Sequence, residues 1–117
     1  MKRLLKAFLY SIVLALVSLH SVALFWQNSL MLTGILIFLS LLMFLVWKNK
    51  EDAILYIIAS VSGAVAESIA IAFGAWSYAI PDIGGIPYWL PFLWGIAAVF
   101  IKENSPEKDK ALFYLYR

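Results

Sequence analysis

The chain contains no cysteine, which excludes disulfides, thiol nucleophiles and thiolate-held metals. A single histidine leaves too few imidazoles for a histidine-built metal centre within one chain. Charge is scarce as well: 14% of the residues are Asp, Glu, Lys or Arg, against about 25% in an ordinary soluble domain. Without a Lys/Arg-rich stripe, no nucleic-acid partner is expected. Phosphate-binding glycine loops, nucleophile elbows, metalloprotease helices and dinucleotide fingerprints are missing too, and no cofactor is expected.

Apolar residues fill the space left by these absences. They make up 64% of the 117 residues, with a mean hydropathy of +0.90. A soluble fold this small cannot hide so much apolar surface, because short chains bury only part of what they expose. Lipid is the solvent that suits this composition, and the bilayer is the first expected partner.

Four apolar stretches approach the roughly 20 residues needed to cross a bilayer. They cover about 4–26, 30–47, 53–80 and 85–101. Gln27-Asn28-Ser29 separates the first two as a tight hairpin, and Lys48 to Asp52 separates the next two. Asp52 suits the N-cap of the third helix, and Glu51 and Asp52 suit the positive end of its dipole. Pro81-Asp82-Ile83-Gly84-Gly85-Ile86-Pro87 reads as a turn-rich loop, with Pro87 at the first position of the fourth helix. From there to Ile101 the helix is short for a core of about 30 Å, so the loop dips into the membrane or the bilayer thins. Pro91, one turn in, is expected to loosen it. In the tail, 102–117, Ser105-Pro106-Glu107 opens a short interfacial helix with Phe113, Tyr114 and Tyr116 at headgroup depth. The fold class is therefore all-α: a single-domain polytopic membrane protein of four transmembrane helices.

Every one of the nine basic residues falls on one side of these spans, at Lys2, Arg3, Lys6, Lys48, Lys50, Lys102, Lys108, Lys110 and Arg117. The positive-inside rule makes that side cytoplasmic, with both termini there, in the cell (inner) membrane. A competing reading takes Lys2 to Ala23 as a signal peptide, but its apolar run is long for that role and continues through Leu24-Phe25-Trp26.

Glu67 stands near the middle of the third stretch, where an ionised carboxylate costs about 2.5–3.5 kcal/mol on insertion scales. Such a group must face protein or water. Helical spacing puts Ser60, Gly63, Glu67, Gly74 and Tyr78 on one small, polar face. One reading of this face is helix packing through small residues; the other is a functional site. His20, in the first helix, is a candidate that reaches Glu67 through a water or ligand, or else a packing residue. Asp82 reads as a solvated or capping residue, with a functional role as the alternative. Trp76, Tyr78, Trp89 and Trp94 form either an interfacial belt or an aromatic pocket for an apolar molecule, a carbocation or a quaternary ammonium.

The segment Gly74-Ala75-Trp76-Ser77-Tyr78, followed by Gly85 and Pro87, resembles part of the membrane-bound carotenoid (lycopene) cyclase family. That family continues with paired glutamates after the proline, where this chain has Tyr88-Trp89-Leu90-Pro91. The resemblance implies an isoprenoid enzyme or half-enzyme; Glu67, from its place within the third stretch, is the candidate catalytic acid or base for such chemistry. The stretch from Glu51 to Ile101 also resembles uncharacterised small four-helix bacterial inner-membrane proteins. Glu67, Pro87, Trp89 and Leu93-Trp94 carry that likeness.

Three functional expectations follow. The first is binding of an apolar or isoprenoid-like ligand by Glu67, Tyr78, Trp76, Trp89, Trp94 and His20. The second is isoprenoid chemistry at Glu67. The third is an accessory or structural subunit that docks another membrane protein or a second copy of itself.

Overall fold

The computed structural model describes residues 2–105. The tail helix expected after Ser105 lies outside the described residues. Among the described residues there are four helices: α1 (Lys2–Phe25), α2 (Ser29–Val46), α3 (Lys50–Ala72) and α4 (Leu90–Glu103). Three of them are long and apolar enough to cross a membrane: Leu5–Phe25 within α1, then α2 and α3. Their outward faces are what lipid solvation calls for, with Leu30, Ile57, Val61 and Ile69 among many exposed apolar side chains. The fourth helix has 14 residues, roughly 21 Å at 1.5 Å per residue.

Local chemistry sets the helix boundaries. Asn28 caps α2 by accepting from the Met31 amide at 3.2 Å. Asn49, rather than the expected Asp52, caps α3: its Oδ1 accepts from the Asp52 amide at 2.7 Å. Asp52 lies one turn further in and serves another purpose.

The third helix ends at Ala72, eight residues short of the expected Ile80. Gly74 is the cause. At φ 84° it takes the left-handed conformation that ends helices, the Gly74 amide donates to Ile71 and the Ala75 amide donates to Ala70. Trp76 and Tyr78 therefore sit on a connecting segment and not on the face shared by Ser60, Gly63 and Glu67.

That segment folds back over α3. Ile83-Gly84-Gly85-Ile86 is a tight turn closed by reciprocal backbone bonds of 3.0 Å between Ile83 and Ile86. Both central glycines have positive φ, as a type I′ turn requires. The turn rests on α3, where the Ser68 hydroxyl donates to the Gly84 carbonyl. A Cβ on Gly85 would stand 2.8 Å from Ile71. Pro87 is buried before the helix, which begins at Leu90 with Trp89 as its cap. Pro91 consequently falls in the first turn, where its missing N–H breaks nothing, and does not loosen the helix as expected.

Successive helices run antiparallel. The Tyr10 hydroxyl donates to the Leu42 carbonyl at 2.8 Å, Ser40 and Tyr56 hydroxyls meet at 2.6 Å, and Lys102 reaches Asp52 at 2.6 Å. Helix α4 packs against all three others. Leu32, Leu36 and Met43 from α2 and Ile96 and Val99 from α4 form the centre of the core. From α1 come Ser11, Leu14, Ser18 and Ser21, spaced three, four and three apart on one buried face. Each of these serines donates to the carbonyl four residues earlier, so small polar residues are buried without loose donors.

Candidate functional site

Glu67 lies five residues before the end of α3 and so in its last turns, not at the middle of a longer helix. Gly63, one turn earlier on the same face, is buried beneath the Trp94 indole; a Cβ there would meet the ring at 2.4 Å. This gap lets Trp94, in the second turn of α4, lie flat enough on α3 for its Nε1–H to reach Glu67 Oε2 at 2.5 Å. Gly95 continues the close approach, since a Cβ there would stand 2.6 Å from both Ser60 and Tyr56. The small-residue stripe thus does what a packing interface needs, and in doing so delivers an indole to the carboxylate.

The second donor comes from the segment after Gly74. The Tyr78 hydroxyl donates to Glu67 Oε1, and its ring meets the buried Trp89 edge to face, with centroids 6.2 Å apart at 89°. One carboxylate accordingly joins α3, the connecting segment and α4, with a neutral donor on each oxygen.

Beside this cluster lies a hollow of about 280 Å³ lined by Glu67, Tyr78, Leu90, Leu93, Trp94 and Ala97. Its walls are apolar apart from the three groups just described. A second hollow of about 400 Å³ opens between the end of α1 and the connecting segment, with Val22, Trp26, Tyr78, Ile80 and Trp89 in its wall. Tyr78 faces both.

The sequence-derived candidates divide accordingly. Glu67, Tyr78, Trp94 and Trp89 come together. Trp76 stays half exposed and lines neither hollow. His20 is exposed and in hydrogen-bond contact with the Leu16 carbonyl of its own helix at 2.7 Å, and it lines neither hollow. Leu90 and Ala97, which complete the wall, carry no sequence signal beyond being apolar.

Two polar clasps lie outside the hollow; Asp82 accepts from a backbone amide, in keeping with its capping reading, while its tie to Ser29 and the pairing of Asp52 went unread in the sequence. Asp82 accepts from the Ser29 hydroxyl and, at 2.9 Å, from the Tyr88 amide, so it ties the α1–α2 turn to the loop before α4. At the opposite end the fully buried Asp52 accepts from Lys102 at 2.6 Å and from the Asn49 side chain at 3.0 Å. Glu51 lies 3.6 Å from the same ammonium. Among the described residues no cluster of His, Cys, Asp and Glu is suited to a metal ion. Comparison with protein-family models, with curated proteins and with solved structures finds no match to this chain.

Proposed function

We propose that this is a small multi-pass membrane protein that binds a lipophilic small molecule in the hollow beside Glu67. The observation that carries the reading is the hollow itself: apolar walls with one carboxylate, one phenol and one indole N–H grouped at a single point. Binding sites for small molecules have this character, mostly apolar with a few placed polar groups. A carboxylate among transmembrane helices is expensive to keep, which favours a use for it beyond packing.

The proposed topology has four crossings, with both ends of the chain in the cytoplasm and the protein in the inner membrane. It is supported by the antiparallel helices, which gather Lys2, Lys6, Lys48, Lys50 and Lys102 at one end of the bundle. Helix α4 is short for a crossing, so this reading puts the preceding loop at membrane depth. Five of its amides, those of Asp82, Ile83, Ile86, Tyr88 and Leu90, have partners within the loop, which lowers the cost of that depth. Irregular backbone is tolerated there only when its polar groups are satisfied against protein.

Native mass spectrometry of the protein released from its own membranes tests the ligand reading, with Ala97→Phe beside the wild type. The variant fills the hollow and leaves Glu67 and its donors unchanged. A bound small molecule in the wild type, absent from Ala97→Phe, is the expected result. An empty wild type, or the same molecule retained by the variant, would leave Glu67 as a helix staple and end the ligand reading.

A further inference from the structure

Glu67 has donors on both oxygens, yet both donors are neutral. Among the described residues the ion pairs are those of Lys102 with Asp52 and Glu51, at the other end of the bundle. Within this set Glu67 has no cationic partner. A carboxylate in apolar surroundings gains most from a cation, because the low local dielectric strengthens their attraction while two neutral donors compensate only part of the lost hydration. The rest of the wall points the same way. The Trp94 indole and the Tyr78 ring line the hollow, and aromatic faces attract cations that have shed their water.

We infer that the ligand of the Glu67 hollow is a hydrophobic organic cation, of the quaternary or tertiary ammonium class, held between the carboxylate and the rings of Trp94 and Tyr78. The inference rests on the ligand reading above and narrows it to one chemical class. A quaternary ammonium has no N–H and needs none: it is attracted as a diffuse charge, so the bonds from Tyr78 and Trp94 to Glu67 stay in place. Its alkyl or aryl substituents lie against Leu90, Leu93 and Ala97. A strongly hydrated metal ion would find only the Tyr78 hydroxyl beside the carboxylate and would have to give up most of its water for an otherwise apolar wall.

The test compares two probes of the same shape, benzyltrimethylammonium and its uncharged carbon isostere neopentylbenzene. Binding is read from the tryptophan fluorescence of the full chain in lipid nanodiscs, for the wild type and for Glu67→Gln. The Gln variant can keep both ties, since its amide oxygen accepts from Trp94 and its NH₂ donates to the Tyr78 oxygen; only the charge goes. Retention of the wild-type far-UV circular dichroism and melting profile confirms that the variant folds. The wild type is expected to prefer the cation by about tenfold or more, and Glu67→Gln to reduce that preference to the smaller part supplied by the Trp94 and Tyr78 rings; an undiminished preference in Glu67→Gln would overturn the inference. Equal binding of the two probes by the wild type would overturn the cation inference and leave the lipophilic-ligand reading standing. Loss of the neutral probe in Ala97→Phe checks that it occupies this hollow. Binding of neither probe by the wild type counts against the inference and the ligand reading together.

Discussion

Each oxygen of Glu67 already has a donor, so the cost of changing a neighbour depends on whether the donor alone is lost. Tyr78→Phe removes one hydroxyl and keeps the ring that packs on Trp89. Hydrogen bonds to charged groups are worth about 1.5–3 kcal/mol, and partial exposure of this site puts the expected destabilisation at about 1–2 kcal/mol. Equilibrium unfolding in mixed detergent micelles measures it. A double-mutant cycle with Glu67→Ala should show coupling of the two residues; strict additivity would mean that the bond contributes nothing. Glu67, Tyr78, Trp89 and Trp94 could all be picked out of the sequence, because an acid inside an apolar run and a dense group of aromatics are visible as residue types. Their meeting could not. It depends on the Trp94 ring lying over Gly63 and on Tyr78 returning from a segment that helical spacing had placed on α3. The same spacing gave no means of seeing that His20 turns one ring nitrogen back onto its own helix.

Helices α3 and α4 form the most intimate pair in the fold, and each end of the pair is tied by a carboxylate. Glu67 holds one end and Asp52 the other. The Asp52 tie is the more enclosed: its side chain is fully buried, while that of Lys102 keeps 31% exposure. Removing one partner from a buried pair typically costs about 3–5 kcal/mol, and the remaining exposure of Lys102 lowers the expectation for Lys102→Met to about 1–3 kcal/mol. Adding Asp52→Asn to that variant takes away the stranded charge and should restore much of the loss, as read from the midpoint of thermal unfolding in detergent. A double variant less stable than Lys102→Met alone would show that Asp52 stabilises α3 by other means, chiefly the helix dipole. The existence of α1, α2 and α3 was legible from hydropathy alone. The end of α3 was readable but misread: glycine after an apolar run is a stop signal, and Gly74 sits in that position. Hydropathy cannot register such a stop, because Phe73, Ala75 and Trp76 stay as apolar as the helix before them. The pairing of Asp52 with Lys102, fifty positions apart, had no local signature.

At the scale of the whole molecule, the contact between Asp52 and Lys102 bears on topology. Asp52 begins a helix long enough to cross a membrane and Lys102 ends a helix that returns beside it. If α3 crosses, α4 must bring the chain back to the side from which α3 started, which makes the fourth crossing a consequence of the third. The absence of cysteine makes this directly measurable, since a single introduced thiol is the chain's only reactive one. Cysteines at Gln27 and Ala75 report the two connections at one end of the bundle; a cysteine at Lys48 reports the connection at the other, and one at Asp109 the chain beyond α4. In intact cells a membrane-impermeant maleimide should label the first two, and should reach the second two only after permeabilisation. The reverse pattern would invert the orientation proposed from the basic residues. Labelling of the Asp109 position together with Gln27 would overturn the fourth crossing. In that case the pair of α3 and α4 could not both stand in the bilayer as packed here, and the Glu67 hollow between them would lie at the membrane surface.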